Sequence, residues 1–144
     1  INLSISLMLE ELAPNLWEKN LKRAVDFGHT FSPVIELKNI PNLLHGEAVA
    51  LDCIFSSCLS FNRGYINKEI LSNIINVARK LKLNTYHKDF TNYSLLKESM
   101  DDAYKHRNGN QYITLPIGIG DYKIFNDIEY NELKDAIRLF KEIN

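Results

Sequence analysis

A mainly α-helical fold with a small β-hairpin near the end of the chain is predicted by three observations. Apolar residues recur at helical spacing through most of the 144 residues. The stretch from Ala48 to Leu59 is apolar nearly all the way round a helical axis, which calls for a centrally buried helix. Two short β-type runs flank Gly118-Ile119-Gly120-Asp121, a natural turn.

Taken in order, Ile5, Leu7, Met8, Leu9 and Leu12 form an apolar stripe that predicts a helix over residues 2 to 12, ending before Pro14 because proline disfavours helix in the residue before it. Leu16, Trp17, Leu21 and Val25 repeat at the same spacing and predict a second helix, broken by Gly28. Ser32-Pro33 reads as a start signal, the hydroxyl capping and the proline at the first helical position, for a short helix over 33 to 38. After the loop Asn39-Ile40-Pro41-Asn42, the buried helix runs from about Leu43 to Asn62. An amphipathic helix from Asn67 to Leu81 follows, capped by Asn67 and turning Ile70, Leu71, Ile74, Ile75, Val77 and Ala78 inward. Another spans about Asn92 to Tyr104. Gln111 to Pro116 and Tyr122 to Phe125 make the hairpin, and Asn131 to Ile143 the last helix, with Leu133, Ala136, Ile137 and Phe140 on its inner face.

With 45% hydrophobic and 24% charged residues the composition is that of a folded globular domain. Seventeen basic against 18 acidic side chains, a net charge of −1, provide no field for nucleic acid or an anionic membrane. The longest apolar run is interrupted by Asp52 and falls short of the roughly 20 residues a membrane span needs. Ile1 to Leu12 has Glu10 and Glu11 but no basic cluster, unlike a secretory signal. Cys53 and Cys58 lie more than about 100° apart on a helix and read as separate buried thiols. The expectation is a soluble, cytoplasmic protein without nucleic-acid or membrane partners. The first residue is not Met and falls mid-helix, so a fragment is expected.

Of the four histidines, His29 and His45 sit where a site is expected, one after a glycine and one in the first turn of the buried helix. Neutral imidazole is the commonest zinc ligand, and a helix and loop between the two allow them to converge. Histidines at helix starts are also often structural. Glu47 is placed to orient a ligand from behind. Asp52, seven residues after His45, shares its helical face and reads either as a site residue or as a buried carboxylate satisfied by neighbours.

The string from Arg23 to Glu36, followed by Leu44-His45-Gly46-Glu47-Ala48-Val49-Ala50, resembles the paired motifs of sugar-phosphate cyclases, the 3-dehydroquinate synthase superfamily, whose usual form is N-F-G-H-T-x-G-H-A-I-E and then H-G-E-A-V-A. The likeness extends loosely through Met100 to Leu115-Pro116-Ile117-Gly118-Ile119-Gly120. It implies the helical C-terminal domain of that fold, with His29 and His45 as ligands of zinc or cobalt. Residues 1–144 would form a partial metal- and substrate-binding domain, and the N-terminal domain that mainly binds NAD would be absent, since no strand leads into a Gly-rich phosphate loop. The family's third ligand is a glutamate from an earlier helix; Glu10 and Glu11 lie in the wrong context and are not assigned to it.

Two departures point to a branch. Asp26 replaces an asparagine and Pro33 replaces a second histidine, giving Asp26-Phe27-Gly28-His29-Thr30-Phe31-Ser32-Pro33, which resembles the 2-epi-5-epi-valiolone synthases that cyclise sedoheptulose 7-phosphate. An amide becomes an acceptor-only carboxylate and an imidazole donor disappears, changes that suit a neutral polyol phosphate better than a substrate bearing a carboxylate. Ala103-Tyr104-Lys105 stands where dehydroquinate synthases carry Asp-Lys-Lys, followed by His106-Arg107. Lys105 and Arg107 read as phosphate or hydroxyl contacts or as solvated loop charges. The resemblance thus implies Asp26, Lys22 and Lys105 in catalysis and Arg23, Arg107 and Asp52 in substrate binding. The activity implied is that of a lyase. Bound NAD oxidises a hydroxyl transiently, phosphate is eliminated, the ketone is reduced, and the opened sugar closes by aldol addition. The full-length enzyme is expected to be a homodimer, and this segment alone to bind zinc poorly and be inactive. The alternatives are a 3-dehydroquinate synthase and a non-catalytic helical remnant or interaction domain.

Overall fold

The computed structural model describes residues 1–17 and 19–144. Helix α1 (Asn2–Leu12) buries none of its residues, although Leu3, Ile5, Leu7, Met8 and Leu9 are apolar. It passes into a single 3₁₀ turn, Ala13–Asn15, that accommodates Pro14 in its first positions.

The helix expected through Leu16, Trp17, Leu21 and Val25 is not present among the described residues; residue 18 lies outside them. Side-chain amides outcompete the helical ladder there. Asn15 donates from Nδ2 to the Asn20 carbonyl (2.6 Å) and accepts from the Asn20 N–H (3.0 Å), while Asn20 Oδ1 accepts from the Lys22 N–H (3.0 Å). Only a 3₁₀ turn, Ala24–Asp26, forms before the motif loop.

Beyond that loop the expected elements are all found within a few residues of their predicted ends: α2 (Ser32–Asn39), α3 (His45–Asn62), α4 (Lys68–Lys80), α5 (Tyr93–His106), β1 (Ile113–Gly118), β2 (Asp121–Phe125) and α6 (Tyr130–Glu142). Asn67 caps α4 by accepting from Ile70 N–H (2.9 Å), and Asn92 caps α5 by accepting from Leu95 N–H (3.3 Å). Ser32 does not cap α2: Phe31 is the N-cap and makes no side-chain bond, while the Ser32 hydroxyl donates backward to Gly28 O (2.6 Å).

Helix α3 is the axle, packing against α2, α4, α6 and β1. Its Phe55 is fully buried and meets Phe31 edge-on at 5.0 Å, Phe140 of α6 at 5.8 Å and Phe90 at 6.1 Å between ring centres. Such aromatic contacts contribute beyond the area they bury. The two strands pair antiparallel from Ile113↔Phe125 to Gly118↔Asp121, and the Ser60 hydroxyl of α3 donates to Pro116 O, fastening the hairpin to the axle. At the far end of α3 the Arg63 guanidinium grips Glu132 with Nε (2.6 Å) and Nη2 (2.8 Å), and Asp127 with Nη1 (2.9 Å). No helix among the described residues is long and apolar enough to cross a membrane.

Candidate metal centre and substrate cleft

The site is built on the loop between the 3₁₀ turn Ala24–Asp26 and α2. Gly28 has φ +82°, and a Cβ there would come within 2.6 Å of Cys53 Sγ and 3.0 Å of Val49 O. Both the left-handed backbone and the close approach to α3 require glycine. The reversal aims His29 at the first turn of α3, where His45 stands. Their ring centres are 5.6 Å apart, with 53° between the planes.

Each imidazole has its Nδ1 engaged: His29 at 3.3 Å from Phe27 O and His45 at 2.8 Å from Glu36 Oε2. A histidine anchored through one nitrogen presents the other to a ligand, the arrangement usual at zinc sites. The expected orienting residue was Glu47, and the structure corrects this. Glu47 is spent on its own helix, accepting from the Leu44 N–H at 3.0 Å, and Glu36 backs His45 instead. Glu36 was legible only as the last letter of the first motif. Two imidazoles fit a divalent metal as half of a ligand set; no group of three or more His, Cys, Asp or Glu that could hold a metal occurs among the described residues.

Beside His29 opens a cleft of about 450 Å³ lined by Arg23, Asp26, His29, Thr30, Pro33, Asp102, His106 and Arg107, among others. Asp26 is 6% exposed. Its Oδ1 pairs with Arg23 Nη2 (2.8 Å), and its Oδ2, 3.7 Å from Arg107 Nη2, accepts no hydrogen bond among the described residues. A buried carboxylate oxygen left without a donor beside a cleft is suited to receive a ligand hydroxyl. His106, set aside in the sequence, faces this cleft with Asp102 3.5 Å from its Nε2. Helical i,i+4 spacing was the signal that could have found the pair.

Arg23, Asp26, His29 and Arg107 are thus brought together in the cleft, with His45 beside His29. Lys22, Lys105 and Asp52 are not. Lys22 turns outward over the Tyr112 ring (5.6 Å), and Lys105 borders a different hollow on α5 with Lys97 and Glu98. Asp52 has no exposed surface. Its Oδ2 accepts from the N–H groups of Thr30 (3.0 Å), Phe31 (2.6 Å) and Ser32 (2.8 Å), and its Oδ1 from the Ser56 hydroxyl (2.9 Å). Burial pushes its carboxyl upward against the opposing pull of those bonds. Enclosed and saturated, it offers no free oxygen to the cleft and matches the alternative reading of a buried carboxylate satisfied by its neighbours, holding the start of α2 from 20 residues away. Arg107 is likewise 8% exposed and spends Nη1 on the carbonyls of Gln111 and Tyr112 and Nη2 on that of His29. Burial lowers its pKa, while Asp26 and Asp52 work in the other direction. Cys58 is buried as expected and Cys53 half-buried; burial pushes both thiols up to about 12, with Asp52 adding to the effect on Cys53. They are not nucleophiles near neutral pH.

Residues 1–105 match the family described as 3-dehydroquinate synthase C-terminal. The chain belongs to that family. Among curated members, it is 44% identical over 135 residues to a 2-epi-5-epi-valiolone synthase of Streptomyces hygroscopicus subsp. jinggangensis, covering 94% of this chain and 32% of that protein. A solved structure of a 2-epi-5-epi-valiolone synthase from the same organism, with NAD+ and Zn2+ bound, superposes with a TM-score of 0.91 at 44% identity, over 95% of this chain and 38% of that one. A 3-dehydroquinate synthase of Campylobacter fetus is 33% identical over 125 residues, 86% of this chain and 36% of that protein. The chain spans about a third of the length of the curated family members it matches.

Proposed function

We propose that the chain is the metal- and substrate-binding part of a phosphate-eliminating sugar-phosphate cyclase that takes sedoheptulose 7-phosphate to a valiolone-type cyclitol. It would work in the cytoplasm, as a homodimer when complete, with NAD held mainly by a nucleotide-binding domain outside these residues. Alone it is inactive. The similarity to 2-epi-5-epi-valiolone synthases supports the branch, and one observation carries the substrate class: the state of Asp26.

A substrate carboxylate would ordinarily be met by arginines. Here Arg23 and Arg107 both already face the buried Asp26 carboxylate, at 2.8 Å and 3.7 Å. A second carboxylate in the cleft would meet a fixed negative charge in a place of reduced dielectric, where like charges repel strongly. A neutral polyol would instead donate a hydroxyl to Asp26 Oδ2, which has no other hydrogen bond. Pro33, at the rim of the same cleft, provides neither a donor nor a charge.

His29 and His45 would hold zinc or cobalt, which supplies Lewis-acid polarisation of a substrate hydroxyl when bound. Glu36 and the Phe27 carbonyl fix their rings. Thr30 and Asp26 bring the polyol chain alongside, and His106, backed by Asp102, stands at the mouth as a cationic or hydrogen-bonding contact for a phosphate. Lys22 and Lys105 remain proposed catalytic contacts that require a change of side-chain direction on substrate binding.

The reading is tested with the complete enzyme and NAD. Sedoheptulose 7-phosphate is expected to be converted with release of phosphate, and the carboxylate-bearing heptulosonate phosphate not. Asp26→Asn is expected to lower kcat/KM for the polyol about tenfold or more, the loss of one charge-assisted hydrogen bond. Dehydroquinate as the product would establish the 3-dehydroquinate synthase reading, favoured by the 33% identical Campylobacter protein. No turnover of either phosphate would leave a binding or remnant role.

A further inference from the structure

We infer that Asp52 and Arg107 are positioning residues that together set the direction of His29 by gripping its backbone from opposite sides. The inference rests on the metal reading above.

The peptide group between His29 and Thr30 is held at both ends. Its carbonyl accepts from Arg107 Nη2 at 3.1 Å, and its N–H donates to Asp52 Oδ2 at 3.0 Å. The preceding peptide is held as well, by His29 N–H donating to Asp26 O at 3.0 Å. Peptide groups are planar, so fixing the two that flank one Cα fixes the direction of its Cα–Cβ bond. Only the two side-chain torsions of His29 remain, and Nδ1 lies 3.3 Å from Phe27 O. The next two N–H groups, of Phe31 and Ser32, converge on the same Asp52 oxygen. Elements far apart in sequence thus meet on one short loop: Asp52 comes from the middle of α3, Arg107 from the end of α5.

Geometry separates this role from ordinary capping. A helix N-terminus needs an acceptor, which a serine or asparagine beside it supplies locally. Here Phe31 occupies the capping position and provides none, and the acceptor sits on the helix that also carries His45. Because Asp52 and His45 are both on α3, the bond from Asp52 fixes His29 relative to the frame that holds its fellow ligand. Burial makes both ends of the clamp stiff: the carboxylate is fully enclosed and the guanidinium nearly so, and removing either strands backbone polar groups inside the fold.

The test follows the two imidazoles of the 144-residue chain by NMR in Asp52→Asn, Asp52→Ala, Arg107→Lys and, as a destabilised control remote from the loop, Leu133→Ala of the α6 core. Without metal, a cross-peak between the His29 and His45 rings is expected in the wild type and in Leu133→Ala, and is expected to weaken in Arg107→Lys and Asp52→Asn and vanish in Asp52→Ala. Persistence of the full cross-peak in Asp52→Asn and Arg107→Lys overturns the inference, and should Asp52→Ala fail to fold, those two variants decide it. With Zn2+ added, the ring nitrogens of His29 and His45 should shift together, with a Kd raised about tenfold or more in the clamp variants, as for other residues behind metal ligands. An equal rise in Leu133→Ala would mean that general stability and not positioning is responsible, which overturns it too. Zinc shifting neither ring in the wild-type segment is what a chain with half a ligand set gives, and the ring-to-ring cross-peak then decides the clamp; the metal reading is refuted separately, by unchanged zinc content in the complete enzyme carrying His45→Ala.

Discussion

Gly28 shows at the scale of one residue how the site depends on the absence of a side chain. The motif placed a glycine before a histidine, and that much was readable; what made it obligatory was helix α3, whose Cys53, far along the chain, would set its Sγ 2.6 Å from any Cβ. A φ of +82° adds strain for every L residue. Gly28→Ala is therefore expected to lower unfolding free energy by about 1–3 kcal/mol in urea titration. Adding Cys53→Ala should recover only part of it, since the thiol clash goes and the backbone strain stays. Full recovery would show that the left-handed φ is cheap here. The same distance in sequence hid the roles of Asp52 and Arg107. Asp52 read as a site residue or a buried carboxylate, and Arg107 as a phosphate contact or a solvated charge; both have local partners too, but the bonds that hold the motif loop reach 20 to 22 and 78 residues, which no local pattern encodes.

At the scale of elements, periodicity decided the outcome wherever an apolar face had a partner. Helices α4 and α6 have inward stripes, Leu71, Ile75 and Ala78 in one and Leu133, Ala136, Ile137 and Phe140 in the other, and both lie where the pattern put them, except that Val77, expected inward, is 55% exposed at the edge of the α4 stripe. Residues 16–25 had spacing alone. Trp17 is 82% exposed and Leu16 70%, so nothing repaid a helix, and asparagine side chains bonded the backbone instead. Beyond its aromatic contact, the junction of α3 with α6 carries an ion pair between Arg63 and Glu132. Glu132 is held below its ordinary value of 4.5 first by the Arg63 hydrogen bonds, with burial opposing. A carboxylate whose folded pKa is depressed adds stability that is present above the unfolded pKa and lost as pH falls through the folded one. Stability of the wild type should thus decline as pH drops below about 4.5, and Glu132→Gln should flatten that limb while costing about 1 kcal/mol near neutrality. Thermal unfolding across pH 3 to 7 (about, on the carboxylate range) measures both; parallel profiles for the two proteins would exclude Glu132 as the source.

Across the whole molecule, the packed body and the metal motif share one frame, while α1 stands outside it. The core from Phe31 to Phe140 closes around α3 with no contribution from residues 1–12: none of α1 is buried, and Leu3, Leu7, Met8 and Leu9 each expose more than half their surface. Burial is what converts apolar side chains into stability, at about 25 cal/mol per Å² removed from water, so α1 supplies little. Its length and stripe were legible because they are local; its lack of a covering surface was not, because exposure is a property of the rest of the fold. Removing residues 1–12 is accordingly expected to leave the urea midpoint and slope of the remaining chain nearly unchanged, within about 0.5 kcal/mol in unfolding free energy. Solubility should rise, since a contiguous apolar surface is removed. The single tryptophan, Trp17, lies just beyond the cut and reports on it. Its fluorescence in the full chain should already be that of a water-exposed indole and should change little on truncation. A loss of several kcal/mol, or a tryptophan that moves to a more polar environment when α1 is removed, would show that α1 packs on the body in solution.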